Sequence, residues 1–169
     1  METYYLETDL DKIKALSMQR EEENESFRRF LKNRNLHKAD ILVHRLNGEI
    51  SPRIDCTACG NCCKQLSPYL GKEDLRLIAE ATRLSIGEVI AAYTEKDADG
   101  GISFRDMPCC FLEDNKCSIY AHRPEVCHSF PHLDKPGFVS RLRSAMYNYS
   151  ICPIVYNVIE RMKLEMGFR

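Results

Sequence analysis

The sequence has no tryptophan, no excess of either charge and no apolar run long enough to cross a bilayer among its 169 residues. With 24 Lys and Arg against 25 Asp and Glu, the formal net charge is −1. That leaves no broad positive field for a polyanion and argues against nucleic acid as a partner. The missing apolar run argues against a membrane partner. Residues Met1 to Arg20 are charged throughout and lack the apolar centre of a signal peptide, so the expectation is a soluble, cytoplasmic protein. No glycine-rich phosphate loop, Gly-x-Ser-x-Gly elbow or His-Glu-x-x-His motif occurs, and the enzyme classes those motifs mark find no support here.

What the sequence does have is cysteine, nine in all. A chain of this length can bury roughly two-thirds of its unfolded surface, so a core forms without covalent staples. Cytosolic thiols are kept reduced, and clustered cysteines then point to metal or redox chemistry rather than to cross-links or a disulfide-locked interaction module. Cys56, Cys59, Cys62 and Cys63 form one group, Cys109, Cys110 and Cys117 a second, and Cys127 and Cys152 follow singly.

Around them the pattern is mostly helical. Leu10, Ile13, Leu16, Phe27, Phe30 and Leu31 keep helical spacing and predict a long charged helix from Thr8 to about Asn33, with Arg20 to Glu25 as a solvated face or bend. A short helix is expected over Ala39 to Leu46, stopped at Asn47-Gly48. Leu75, Ile78 and Thr82 mark a helix over Glu73 to Arg83, and Ser85-Ile86-Gly87-Glu88 opens another, ending near Tyr93, as a capping box. Asp97 to Gly101 reads as a turn. Ile102 to Phe104, Cys110 to Leu112 and Cys117 to Tyr120 read as short strands round the loop Glu113 to Lys116. Phe138 to Tyr149 fits either strand or helix, and Ile151, Val155, Val158 and Met162 stripe a final helix ending by Gly167. The expected fold is a mainly helical α+β single domain, with a cysteine-rich irregular centre and a small β-hairpin organised around metal. Residues 1–50 would be a helical segment packing on the cysteine-cluster domain, residues 51–169.

Thiolates are strong ligands for zinc and for the iron of iron–sulfur clusters, and a two-residue gap lets the chain loop round a tetrahedral centre with both sulfurs facing it. Cys56-x2-Cys59-x2-Cys62 supplies that gap twice. It matches the first three cysteines of a bacterial-type four-iron motif, although the following cysteine-proline pair comes only at Cys152-Pro153. Gly60 and Asn61 tolerate left-handed backbone, which turns amide N–H groups toward the sulfurs. Adjacent side chains are expected to diverge, so Cys62 and Cys63 would serve different irons or separate sites. The radical-type Cys-x3-Cys-x2-Cys pattern fails, because Leu66 stands where its third cysteine belongs.

The stretch Pro108-Cys109-Cys110-Phe111-Leu112, with Cys117-Ser118-Ile119-Tyr120 and Arg123-Pro124-Glu125-Val126-Cys127, joins Cys-x2-Cys-Gly-x-Cys-Cys in a combination that closely resembles the YkgJ-type cysteine-cluster proteins, a zinc- or iron-chelating CxxCxxCC domain. The resemblance spans about Ile54 to Cys152. It implies metal binding through Cys56, Cys59, Cys62, Cys63, Cys109, Cys117, Cys127 and Cys152, with Cys110 as an extra thiol. The implied cofactor is an iron–sulfur cluster, 4Fe–4S in type, or zinc, and the implied role redox, sensing or structural. Tyr120 and Arg123 are read as positioning the fold. The family usually places Arg after the cysteine of the Arg-Pro segment, and here that position is His128. Flagellin lysine methylases are similar in their cysteine motif, which implies as an alternative a protein-modifying enzyme using the cluster as cofactor; no SAM-binding glycine motif accompanies it. One further pattern, Glu95 to Asp106, falls near a calcium loop, but Pro108 and the cysteines follow where an exiting helix should begin, so a turn is expected.

Overall fold

The computed structural model describes residues 4–168. Its helices, in chain order, are α1 (Leu10–Gln19), α2 (Glu21–Lys32), α3 (Leu36–Ile50), α4 (Cys56–Cys59), α5 (Asn61–Gln65), α6 (Lys72–Thr82), α7 (Ile86–Tyr93), α8 (Glu125–His128), α9 (Leu142–Tyr149) and α10 (Pro153–Glu165). Four short strands, β1 (Thr94–Lys96), β2 (Ile102–Phe104), β3 (Leu112–Glu113) and β4 (Lys116–Cys117), pair as two antiparallel hairpins, β1-β2 and β3-β4. The mainly helical expectation holds, and there are two hairpins where one was expected. The chain packs as two compact units. One runs to Ile54 and resumes at Pro131, and the other is Asp55–Phe130.

In the first unit α10 carries Val155, Val158, Ile159 and Met162, all fully buried, and packs with α3 and α9. Each such side chain contributes roughly 1.5–3 kcal/mol on burial. The long N-terminal helix is broken at Arg20 (φ −103°, ψ 18°) into α1 and α2. The polar run from Arg20 therefore begins as a bend. Asp9 caps α1 by accepting from the Lys12 backbone N at 3.0 Å. Asn157 ties the N-terminal segment to α10 reciprocally, accepting from Glu7 N at 3.0 Å and donating to Glu7 O at 2.8 Å. Lys163, 4% exposed, is offset by Glu23 and Glu160, each at 2.7 Å.

The expected stop at Asn47-Gly48 is a correction: α3 begins earlier, where Asn35 caps Lys38 N, and runs through Gly48 to Ile50. Ala39, Val43, Leu46 and Ile50 are all fully buried at successive helical spacings, and burying Ile50 outweighs the cost of a glycine inside the helix. Nothing lies within 4 Å of where a Gly48 Cβ would stand. Gly48→Ala is therefore expected to stabilise the protein by about 0.5–1 kcal/mol, read as a raised thermal midpoint. Phe138–Tyr149 resolves as a 3-10 turn, Phe138–Arg141, followed by α9. The Asp40 carboxylate receives the opening N–H groups of Gly137 and Phe138 at 2.7 and 2.8 Å.

The second unit has a small core of Leu70, Leu75, Ile78, Val89, Phe104, Phe111 and Ile119, with Cys109 and Cys117 packed against it. The capping box reads as expected: Ser85 N donates to Glu88 at 2.8 Å and Glu88 N to Ser85 Oγ at 3.3 Å. Glu95 to Asp106 is the β1-β2 hairpin, and one Asp97 carboxylate oxygen accepts from Asp99 N and Gly101 N at 3.0 and 2.8 Å. That carboxylate shapes a turn.

Candidate metal centre

The first cysteine group is built on two short helical turns. The Asp55 carboxylate caps α4, accepting from the Thr57 N–H at 2.8 Å and the Thr57 hydroxyl at 2.7 Å, and these bonds hold it below the usual carboxylate range. Gly60 ends the turn in left-handed conformation (φ 58°), its N–H bonded to Cys56 O at 3.1 Å, and α5 starts at once. The expected left-handed residue is thus Gly60. On α5 the Cys62 and Cys63 sulfurs lie 3.9 Å apart. Adjacent side chains do not diverge here, and their separation is close to the roughly 3.8 Å edge of a tetrahedron with metal–sulfur bonds of about 2.3 Å.

The second group reaches the first through the main chain, since Cys109 N donates to Cys63 O at 2.8 Å. After Cys109 the chain enters the β3-β4 hairpin, with Leu112 opposite Cys117 and a two-residue turn at Asp114 and Asn115, both at positive φ. A Cβ on Gly60 would stand 3.1 Å from Asn115 Cβ and Asn115 O. Gly60 is therefore needed twice, for its conformation and for this close approach of the first group to the hairpin tip. Gly60→Ala is expected to cost upward of about 1 kcal/mol from the left-handed backbone alone. The clash with Asn115 adds to that, and the variant should retain less metal per chain than the parent when both are purified and analysed side by side.

Cys127 comes on α8, whose start is held from another helix: Glu125 N donates to Asp74 Oδ1 at 2.9 Å, while Asp74 Oδ2 accepts from Gly71 N at 2.7 Å. Asp74 so caps α6 and positions the Cys127 segment, a role without a sequence signal because 51 residues separate the partners. Arg123 stacks on the Tyr120 ring at 3.8 Å and donates to Tyr120 O at 2.7 Å, the positioning role expected of that pair. His128 is exposed, and His122 Nε2 stands 3.9 Å from Glu80.

The thiols respond to one another. A hydrogen bond from Cys62 brings Cys63 down to about 7, and one from Cys110 does the same for Cys109. Cys110, exposed, is held up by that bond. Burial pushes Cys127 up to about 12, reinforced by the charges of Cys63, Cys109 and Cys117. Burial also raises Cys117, with Cys109 and Cys63 adding to it, and raises Cys56, with Cys59 and Cys63 adding. Thiols from α5, the Cys109 loop, β4 and α8 thus lie within reach of each other's charge. Among the described residues no three His, Cys, Asp or Glu side chains converge closely enough to hold an ion as they stand. Cys152 caps α10 in the first unit, buried, with its N–H on Asn148 O at 2.8 Å.

No disulfide joins the nine cysteines. A family described as "CxxCxxCC: Putative zinc- or iron-chelating domain" matches residues 55–153. The chain belongs to the CxxCxxCC family. The match runs over both cysteine groups, Cys127 and Cys152. No curated protein and no solved structure matches the chain. The thiols fit the family's chemistry: sulfur donors, half-buried at Cys59, Cys62, Cys63, Cys109, Cys117 and Cys127, whose mutual repulsion as thiolates a thiophilic cation would relieve. No helix among the described residues is long and apolar enough to cross a membrane.

Proposed function

We propose that this chain is a cytoplasmic metal-binding protein that holds an iron–sulfur cluster, 4Fe–4S in type, on ligands drawn from Cys56, Cys59, Cys62, Cys63, Cys109, Cys117, Cys127 and Cys152. The observation that carries the reading is the approach of the two cysteine groups: the Cys62 and Cys63 sulfurs stand 3.9 Å apart on α5, and Cys109 N donates to Cys63 O at 2.8 Å. The run Cys56-x2-Cys59-x2-Cys62, which matches the first three cysteines of a four-iron motif, favours a cluster over a single ion. When bound, such a cluster supplies one-electron redox chemistry.

The chain's own residues do the rest. Asp55, Gly60 and Asp74 fix the backbone that presents the thiols, and the bond between Cys109 N and Cys63 O sets the two groups side by side. Anaerobic purification followed by iron, zinc and acid-labile sulfide analysis, with the visible spectrum of the same sample, tests the reading. Iron with matching sulfide and a brown chromophore is the expected result. Zinc without sulfide would replace the cluster by a structural or metal-handling site and remove electron transfer from consideration.

A further inference from the structure

The cysteines of the second unit are not all held in the same way. Cys63, Cys109 and Cys117 share one backbone frame: Cys109 N donates to Cys63 O at 2.8 Å, Leu112 N donates to Cys109 O at 2.9 Å, and Leu112 pairs with Cys117 across the β3-β4 hairpin. Cys109 and Cys117 also pack against the apolar core of that unit. Cys127 stands outside this frame. It lies on α8, a single four-residue turn, where Cys127 N and His128 N both donate to Pro124 O at 2.9 Å, within the turn itself. Pro124 is extended (φ −51°, ψ 148°) and separates α8 from the 3-10 turn Tyr120–His122 before it. A helical turn this short has no stability of its own. Its start is anchored by the bond from Glu125 N to Asp74 Oδ1 at 2.9 Å, which is exposed to solvent, so water competes for both partners.

We propose that Cys127 is the detachable thiolate of the metal site and that the bond between Asp74 and Glu125 is the latch that governs its release. This rests on the metal-binding reading above. When the latch opens, α8 swings about Pro124 and takes the Cys127 sulfur with it, while Cys63, Cys109 and Cys117 keep their places. The site then gains an open position while the framed thiolates still hold the metal. Capping α6 does not by itself require the bond to Glu125, because Asp74 Oδ2 already accepts from Gly71 N at 2.7 Å; Oδ1 is the oxygen turned to α8.

The test is alkylation of the purified, metal-loaded protein with iodoacetamide under anaerobic conditions, followed by peptide mass spectrometry, with metal per chain measured on the same samples. Cys127 is half-buried, so its labelling reports how often α8 moves away. Glu125→Pro removes the donor and leaves the Asp74 cap on α6 in place. Residue 125 is the first of α8, where proline is well tolerated, and Pro124 already has the extended backbone that a following proline requires. Labelling of Cys127 is expected to rise at least about tenfold in E125P, the scale of a lost hydrogen bond to a charged group, with Cys63, Cys109 and Cys117 changing by less than about twofold. Glu125→Ala keeps the N–H and should match the parent. Should E125P fail to fold, Asp74→Ala removes the acceptor instead and is expected to give the same selective rise at Cys127. An unchanged Cys127 rate in metal-loaded protein, an equal rise at Cys63, Cys109 and Cys117, or the same rise in Glu125→Ala would overturn the latch alone. A parent that carries no metal would overturn the metal-binding reading along with it.

Discussion

Stripping metal from the reduced protein is expected to open the Asp55–Phe130 unit while the first unit stays folded. The two units differ in what supports them. The first buries four α10 side chains completely, alongside Ala39, Val43, Leu46 and Ile50 of α3. The second has a core of seven side chains and places its cysteines on turns and two-residue strands. Below about 70–80 residues a single core rarely supplies more than about 3–5 kcal/mol. Structural zinc contributes on the order of 10–16 kcal/mol to small metal-dependent peptides at neutral pH, which shows how much of a small unit's stability a metal can carry. Hydrogen exchange followed by mass spectrometry, before and after a chelator under anaerobic conditions, checks this. Peptides covering Cys56 to Gln65 and Cys109 to Ser129 should lose protection. Those covering Val155 to Met162 should keep it. Equal loss in both units, or none in either, would contradict a metal-dependent second unit.

The next largest effect is expected from a residue that is not a ligand. Phe104, 2% exposed, meets Phe111 edge-on with ring centroids 5.7 Å apart, and the same core packs against Cys109 and Cys117. Phe104→Ala should cost about 3–5 kcal/mol, the range for truncating a buried phenylalanine, which is comparable with everything that core supplies. The variant is therefore expected to lose metal although every thiol remains. Phe104→Leu keeps most of the volume and should recover most of the metal content. If Phe104→Ala held a full complement of metal at an unchanged thermal midpoint, the hydrophobic cluster would not be what carries the second cysteine group.

Helices α6 and α7 of the second unit were legible because their signals are local, whereas the short turns α4, α5 and α8 around the cysteines were not. Ser85 and Glu88 lie three residues apart, and Leu75 and Ile78 fall on one face. The end of α3 was not legible, because Asn47-Gly48 is a strong local stop and only the burial of Ile50, a tertiary fact, carries the helix past it. Thr94–Lys96 was missed as a strand for a related reason. It is a short polar tail on α7, and only its pairing with Ile102–Phe104 makes it β. In the site, cysteine spacing points to the thiols, but Asp74 has no such signature, since its partner lies in a different helix. The closeness of the Cys62 and Cys63 sulfurs also ran against expectation, because side-chain torsions rather than Cα directions set it.

The main-chain bond from Cys109 to Cys63 has a kinetic consequence. Once one group has captured an ion, the other is already tethered beside it at an effective concentration in the millimolar range or above. A thiolate that lets go is recaptured before the ion diffuses away, so dissociation needs several sulfurs to release together. Exchange of metal with solution should then be slow and nearly independent of chelator concentration, its pace set by how often the tether itself opens.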